Sequence, residues 1–328
     1  MSSVHVSQYV GFPSAQITNL ILLILIVKKA YKMFGQYCYV MTIFTINSII
    51  FTWVEMMSLP LMHGYRSLFI LMNGSFLRHS LTWGFHLMCL YGASYSVLIS
   101  LLATQFFYRY LVICKPEHLC KLNGSKLCLL FVPTIILFFV WYFSLLLGMS
   151  NTDDKVEYSR KVVMEFYGEN TSKTAFVALQ LWSVDSNGKY IFRIFDAISY
   201  LICSLIIFIC FSTICFCTSQ IMMKQKRQQQ YMSEKTKEMN KQLLKTMIFQ
   251  TIFPFFMMYI TVGVVLTLPL FEIELGKLAN IPGSLAGIYP AVEPLFAIYF
   301  VKDFRKTVFR CGNYQNKVSN ISQVRSTM

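Results

Sequence analysis

The 328 residues are 55% hydrophobic and 16% aromatic, only 13% are charged, and the formal net charge is +14. That is too little charge to clothe one or two soluble domains, so the composition places the chain in lipid. A basic chain of this kind suits nucleic acid only where its charge gathers on one face, and here the charge is spread along the chain in separate clusters.

Seven long uncharged stretches follow in order: residues 1–27, 33–54, 79–108, 127–152, 197–223, 246–271 and 278–293, the last continuing to 301. About 20 helical residues cross the roughly 30 Å of hydrocarbon. Each stretch supplies or approaches that length. Lipid demands that backbone groups be satisfied within the segment, so these are expected to be helices. Of the 29 Lys and Arg, 20 lie in the segments after spans 1, 3, 5 and 7. The positive-inside rule therefore puts the N-terminus outside and the tail in the cytoplasm. There the positive charge faces anionic lipid headgroups or a protein partner. Lys28 and Lys29 follow the first run and no basic residue precedes it, so it reads as a first span inserted N-terminus out rather than as a cleaved signal.

The ten cysteines form no disulfide framework, and the outer loop 150–194 contains none. No disulfide can tie that loop to the top of span 3. Two Asn-x-Ser triplets fall outside, at Asn73 and Asn170, and are expected to carry glycans; those at Asn123 and Asn320 fall inside and are expected to be bare. Within the outer loop, Ser186-Asn187-Gly188 separates two apolar runs, 175–184 and 189–194. Two readings fit: a β-hairpin over the outer mouth of the bundle, or a solvated loop with one turn. The basic, Gln-rich segment 222–245 either extends helices 5 and 6 into the cytoplasm or is a polar linker. Residues 1–301 are expected to form one seven-span membrane domain. Residues 302–311 suit a short amphipathic juxtamembrane helix, with Cys311 either palmitoylated or a free thiol. Residues 312–328 are polar, aperiodic and expected to be disordered.

Local motifs narrow the class. Phe107-Tyr108-Arg109-Tyr110 ends span 3 and is followed by Cys114-Lys115-Pro116. Gly35-Gln36-Tyr37 enters span 2, and Pro60-Leu61-Met62-His63 leaves it. Gln242-Leu243-Leu244-Lys245 leads into span 6, which holds Gln250 and Pro254. Tyr289-Pro290-Ala291-Val292-Glu293-Pro294-Leu295 lies in span 7, with Asp303-Phe304-Arg305-Lys306 after it. In order and spacing, over nearly the whole chain, these resemble the Str family of nematode seven-transmembrane chemoreceptors. The sequence departs from the family pattern at Glu293, where the family usually has Asp.

The resemblance implies a G-protein-coupled receptor in which Arg109 is restrained at rest and meets the G protein when active. Tyr108 stands where many such receptors have an acid, so the restraint must come from elsewhere. Glu234 is the expected partner, with Glu238 one turn nearer the membrane; the alternative is that Arg109 only snorkels to the interface. Pro254 should kink span 6, and Pro290 and Pro294 span 7, either as hinges or as static bends. Glu55, Glu293 and Asp196 are carboxylates at or near membrane depth, where such groups usually face the interior. A ligand pocket is expected between the outer halves of spans 3, 5, 6 and 7. Its candidates are Glu55, Tyr91, Tyr95, Tyr200, Phe255, Phe256 and Tyr259, with Ser94, Ser96 and Cys203 nearby; aromatics around a few hydroxyls suit a small, mostly apolar ligand. The alternative is that these aromatics are packing alone.

Other classes fit less well. Span 7 has no lysine for a retinal Schiff base, the five histidines match no metal motif, and there are no matching halves of the transporter kind. The expectation is an all-α seven-helix receptor, without enzymatic activity, cofactor or metal. It would be a chemosensory, olfactory receptor whose partners are a small odorant, a heterotrimeric G protein and membrane lipids, with no nucleic acid. The alternatives are a pheromone or other metabolite receptor of the same fold, or an odorant-gated channel subunit. The resemblance implies the plasma membrane of sensory cilia.

Overall fold

The computed structural model describes residues 2–30, 35–120, 122, 124–184, 190–228, 245, 248–301 and 304–308. Seven helices in it are long and apolar enough to cross a membrane: Val4–Lys28, Tyr37–Ser58, Leu81–Cys114, Lys126–Gly148, Ile194–Arg227, Ile248–Phe271 and Lys277–Phe300. They are called spans 1 to 7 below and form a seven-helix bundle. Span 3 packs against spans 2, 4 and 5, and span 1 lies along spans 2 and 7. Spans 3 and 7 are the most enclosed.

The residue pattern explains the arrangement. Ile, Leu and Phe side chains such as Leu201, Phe208 and Ile136 face outward, while Ser48, Ser96, Ser100 and Asn19 are buried. Several interior hydroxyls are satisfied locally, as where Thr45 donates to the Met41 carbonyl (2.8 Å) and Thr104 to that of Ser100 (2.9 Å). Span 6 departs from regular geometry. Pro254 has no N–H to give the Gln250 carbonyl, and a π-helical turn, Phe255–Tyr259, follows it directly. In span 7, Pro294 likewise deprives the Pro290 carbonyl of its donor. Asn19 of span 1 donates to that carbonyl instead, at 2.8 Å.

The outer side is roofed. Strands β1 (Pro60–Tyr65) and β2 (Leu68–Asn73) come from the loop between spans 2 and 3, and β3 (Phe176–Gln180) from the loop between spans 4 and 5. They pair antiparallel in the order β1-β2-β3, with Pro60 opposite Asn73 and Leu68 opposite Gln180. Both faces of the sheet are apolar. Phe69, Leu71, Val177 and Leu179 point down to the bundle core, while Leu68, Ile70, Phe176 and Ala178 cluster with Val163 of an outer helix, Asp153–Tyr167. Gly64 and Gly276 exchange backbone hydrogen bonds (3.3 and 2.8 Å), tying β1 to the loop before span 7. A second sheet pairs β4 (Trp182–Val184) with β5 (Tyr190–Phe192). This is the expected hairpin in reduced form, because residues 176–180 of its first run pair with β2 instead. The Asn187-Gly188 pair expected to make its turn lies outside the described residues, as do Cys311 and 312–328. Residues 304–308 are helical.

One buried ion pair fastens the roof. Lys155 Nζ donates to the carbonyls of Ser150 (3.1 Å) and Ala178 (2.8 Å) and to Asp196 Oδ1 (2.7 Å), so all three protons are used. Asp196 Oδ1 also accepts from the Gln180 N–H at 3.0 Å. His63 of β1, 1% exposed, has Nδ1 3.3 Å from the Tyr167 hydroxyl. Burial, helped by the charge of Lys277 against a smaller opposing pull from Glu274, pushes its pKa down to about 4.

Candidate functional site

Beneath the roof lies a cavity of about 80 Å³. Its ceiling is the inner face of the three-stranded sheet, with Met62, Phe69, Leu71, Val177 and Leu179. Span 3 contributes Tyr91, Gly92 and Tyr95, and span 4 contributes Trp141, Leu145 and Met149. Spans 5, 6 and 7 close the far side with Cys203, Val262, Val265, Leu266, Pro282 and Ala286. Carbon covers nearly all of the wall.

The expected ligand residues divide. Tyr91 and Tyr95 line the cavity. Tyr95 donates its hydroxyl to the Met258 carbonyl (3.2 Å), inside the π-helical turn after Pro254. Tyr259 sits just below and donates to the Ile99 carbonyl (3.3 Å). Phe255 stacks on Phe211 of span 5, ring centres 4.7 Å apart, and Tyr200 meets Thr267 at 3.3 Å across spans 5 and 6. Neither is on the wall. Phe256 is turned away, 59% exposed on the outward face of span 6. This corrects the expectation for Phe256: a π turn holds more residues than an α turn, so helical spacing after Pro254 misjudges which faces point inward. Glu55 is buried behind the wall, its carboxyl against Gly287 of span 7, where any Cβ would collide with it. Its Oε1 bonds to no described residue.

A second polar site lies at the inner end of the bundle. Arg109 Nη1 donates to Gln250 Oε1 of span 6 at 2.9 Å, and Gln250 Nε2 donates to Glu293 Oε1 of span 7 at 3.3 Å. The Arg109 guanidinium lies over the rings of Tyr37 (4.9 Å) and Phe106 (5.9 Å), and Tyr108 stacks on Tyr37 at 5.5 Å. Glu234 and Glu238 lie outside the described residues, and among the described ones Arg109 is held by Gln250 together with Tyr37, with which it also shares a side-chain hydrogen bond. Sequence reasoning placed Gln250 in span 6 without giving it this part. Pro254 is one turn above it, and Pro290 and Pro294 bracket Glu293.

Of the two outer sequons, only Asn170 is accessible. Asn73 is 2% exposed at the end of β2, where its Oδ1 accepts from the Ser75 N–H and hydroxyl and its Nδ2 donates to the Gly84 carbonyl. That corrects the expectation of a glycan there, since the pairing of β2 with β1 buries the residue. Asn170 makes the same turn with Ser172 in a partly exposed loop.

Residues 4–309 match the family model described as "Serpentine type 7TM GPCR chemoreceptor Str". The chain belongs to this family of serpentine chemoreceptors. Among its relatives is serpentine receptor class r-10 of Caenorhabditis briggsae, 26% identical over 334 residues covering 100% of this chain and 95% of that protein. The Caenorhabditis elegans protein of the same name is 27% identical, covering 99% and 94%. The G-protein coupled receptor str-33 of C. elegans is 26% identical over 305 residues, covering 90% and 86%. Membership makes the protein an integral membrane chemoreceptor of the GPCR class, and not an enzyme. It also gives the two sites their setting in a Str receptor: a roofed cavity near the outer surface and a polar clasp at the inner end, joined by spans 3 and 6.

Proposed function

We propose that this Str receptor is olfactory: it binds a small, mostly apolar odorant in the roofed cavity and activates a heterotrimeric G protein from sensory cilia. A cavity of about 80 Å³ holds several water-sized groups, at roughly 10–15 Å³ each. That is room for one small organic molecule. The observation that carries the reading is the position of Tyr95. It lines the cavity, and its hydroxyl holds the π-helical turn of span 6, so a ligand touching Tyr95 acts on the bend that sets where the inner half of span 6 lies. One helical turn on the inner side of Pro254, Gln250 holds Arg109. A ligand that binds better when span 6 is displaced favours that state by its differential affinity, releases Arg109 from Gln250, and opens the inner face to the partner.

The test is nucleotide exchange on a purified heterotrimer with receptor reconstituted in lipid, challenged with a panel of small volatiles. Dose-dependent exchange that is lost in Arg109→Ala is the expected result. Exchange that survives in Arg109→Ala would remove the inner clasp from the mechanism. Absence of exchange with every volatile, from receptor shown to be folded, would turn the reading to a pheromone or to a protein that does not couple.

A further inference from the structure

Two donors on the cavity wall, the Trp141 indole N–H and the Tyr91 hydroxyl, make no hydrogen bond to a described residue. Trp141 is 4% exposed and lines the cavity, yet its indole Nε1–H donates to no described residue. Tryptophan N–H groups usually find a partner when buried. The residue beside this one explains why it is open. Gly92 of span 3 also lines the cavity, and a Cβ there would stand 3.2 Å from Trp141 Nε1 and 3.6 Å from Cδ1. It would also run into Leu145, so the glycine lets spans 3 and 4 approach and at the same time leaves the N–H edge of the indole uncovered. The other polar wall atoms differ. The Tyr95 hydroxyl is committed to the Met258 carbonyl. The Tyr91 hydroxyl can donate or accept, whereas an indole N–H can only donate. No carboxylate or cation is among the described residues of the wall, since Glu55 sits behind it against Gly287.

Resting on the reading of this cavity as the ligand site, we propose that Trp141, uncovered by Gly92, is the residue that orients the ligand. The ligand class is then a small neutral molecule with an apolar body and one hydrogen-bond acceptor directed at Trp141 Nε1. The apolar walls fill themselves with any hydrocarbon of the right shape, and selectivity comes from the donor. A ligand without an acceptor leaves the buried N–H unpaired, which disfavours it by roughly ten- to a hundredfold.

The experiment measures uptake of volatiles from the headspace by receptor in lipid vesicles, corrected with protein-free vesicles. The probes are shape-matched pairs: 2-pentanone against 2-methyl-1-pentene, and diethyl ether against pentane. Wild-type receptor is expected to bind the oxygen-bearing member of each pair about tenfold more tightly or better. In Trp141→Phe, which keeps an aromatic ring and removes the N–H, that preference should fall to about one while hydrocarbon affinity changes less than about twofold. Tyr91→Phe should keep the preference. A preference that survives Trp141→Phe, or that disappears in Tyr91→Phe alone, overturns the assignment. So does a wild-type receptor that takes up both members of each pair equally, a comparison that stands even if the tryptophan variant fails to fold. Saturable uptake of no probe by folded wild-type receptor would instead remove the cavity as a ligand site, and the proposal with it.

Discussion

Arg109 follows a tyrosine where many receptors place an acid, and its counterweight is an amide reached across the bundle. Gln250 suits that position because an amide both accepts and donates. It takes a hydrogen bond from the guanidinium and passes one to Glu293. Leucine, of similar size, does neither. Hydrogen bonds to charged groups contribute about 1.5–3 kcal/mol, and about 1.4 kcal/mol is a factor of ten in an equilibrium. Gln250→Leu is therefore expected to raise ligand-free nucleotide exchange about tenfold over wild type at equal amounts of folded receptor. Basal exchange equal to wild type would mean that the clasp does not hold the resting state. The residue was visible in the sequence, but its role was not, because Arg109 and Gln250 are 141 positions apart and no periodicity along one helix reveals a partner on another. The same holds for Asn19, whose bond to the Pro290 carbonyl answers a donor that Pro294 lacks.

Among the secondary-structure elements, the roof was the least legible. Residues 60–73 and 176–180 are apolar on both faces of the sheet, so they lack the alternation that marks a half-exposed strand. The outer helix that covers them shows its meaning only once the sheet is in place. Only the Asn-Gly signal stood out, and it belongs to the smaller sheet. With no cysteine in loop 150–194, the attachment of this roof rests on polar chemistry. Lys155 and Asp196 are 1% and 4% exposed in their side chains. Removing one partner of such a buried pair costs about 3–5 kcal/mol where the other charge is stranded, as Lys155 would be, and less where a second partner remains, as Arg193 does for Asp196 at 3.4 Å, whereas replacing both with apolar groups is often close to neutral. Lys155→Met and Asp196→Leu should each sharply increase amide exchange in β3, and the double variant should regain at least half of the lost protection. The regain is partial because the Ala178 carbonyl and the Gln180 N–H also lose partners. If β3 exchanges as fast in the double variant as in either single one, the roof is held by its apolar packing and not by the ion pair.

For the whole molecule, the span count was legible because lipid imposes length and internal hydrogen bonding on every crossing segment, and the alternation of Lys and Arg set the orientation. Span ends were less so. Span 3 runs on to Cys114 and span 5 begins at Ile194, since the charged residues Arg109 and Asp196 interrupt the apolar runs while the helices continue past them. Orientation and roof together make a prediction that neither makes alone. Both Asn73 and Asn170 lie on the outer side, and both make the same local turn with the serine two positions on. A sequon count therefore expects two glycans. The fold expects one, because Asn73 is enclosed where β2 meets span 3, while Asn170 lies in the open loop after the outer helix. Receptor made in glycosylating membranes should lose a single glycan's mass on enzymatic deglycosylation. Asn170→Gln should abolish that shift, and Asn73→Gln should leave it intact. A shift retained in Asn170→Gln and lost in Asn73→Gln would place the first sequon outside the roof and contradict the pairing of β2 at that end. A shift that persists in both variants and is lost only when Asn123 or Asn320 is replaced would invert the orientation that the basic residues assign.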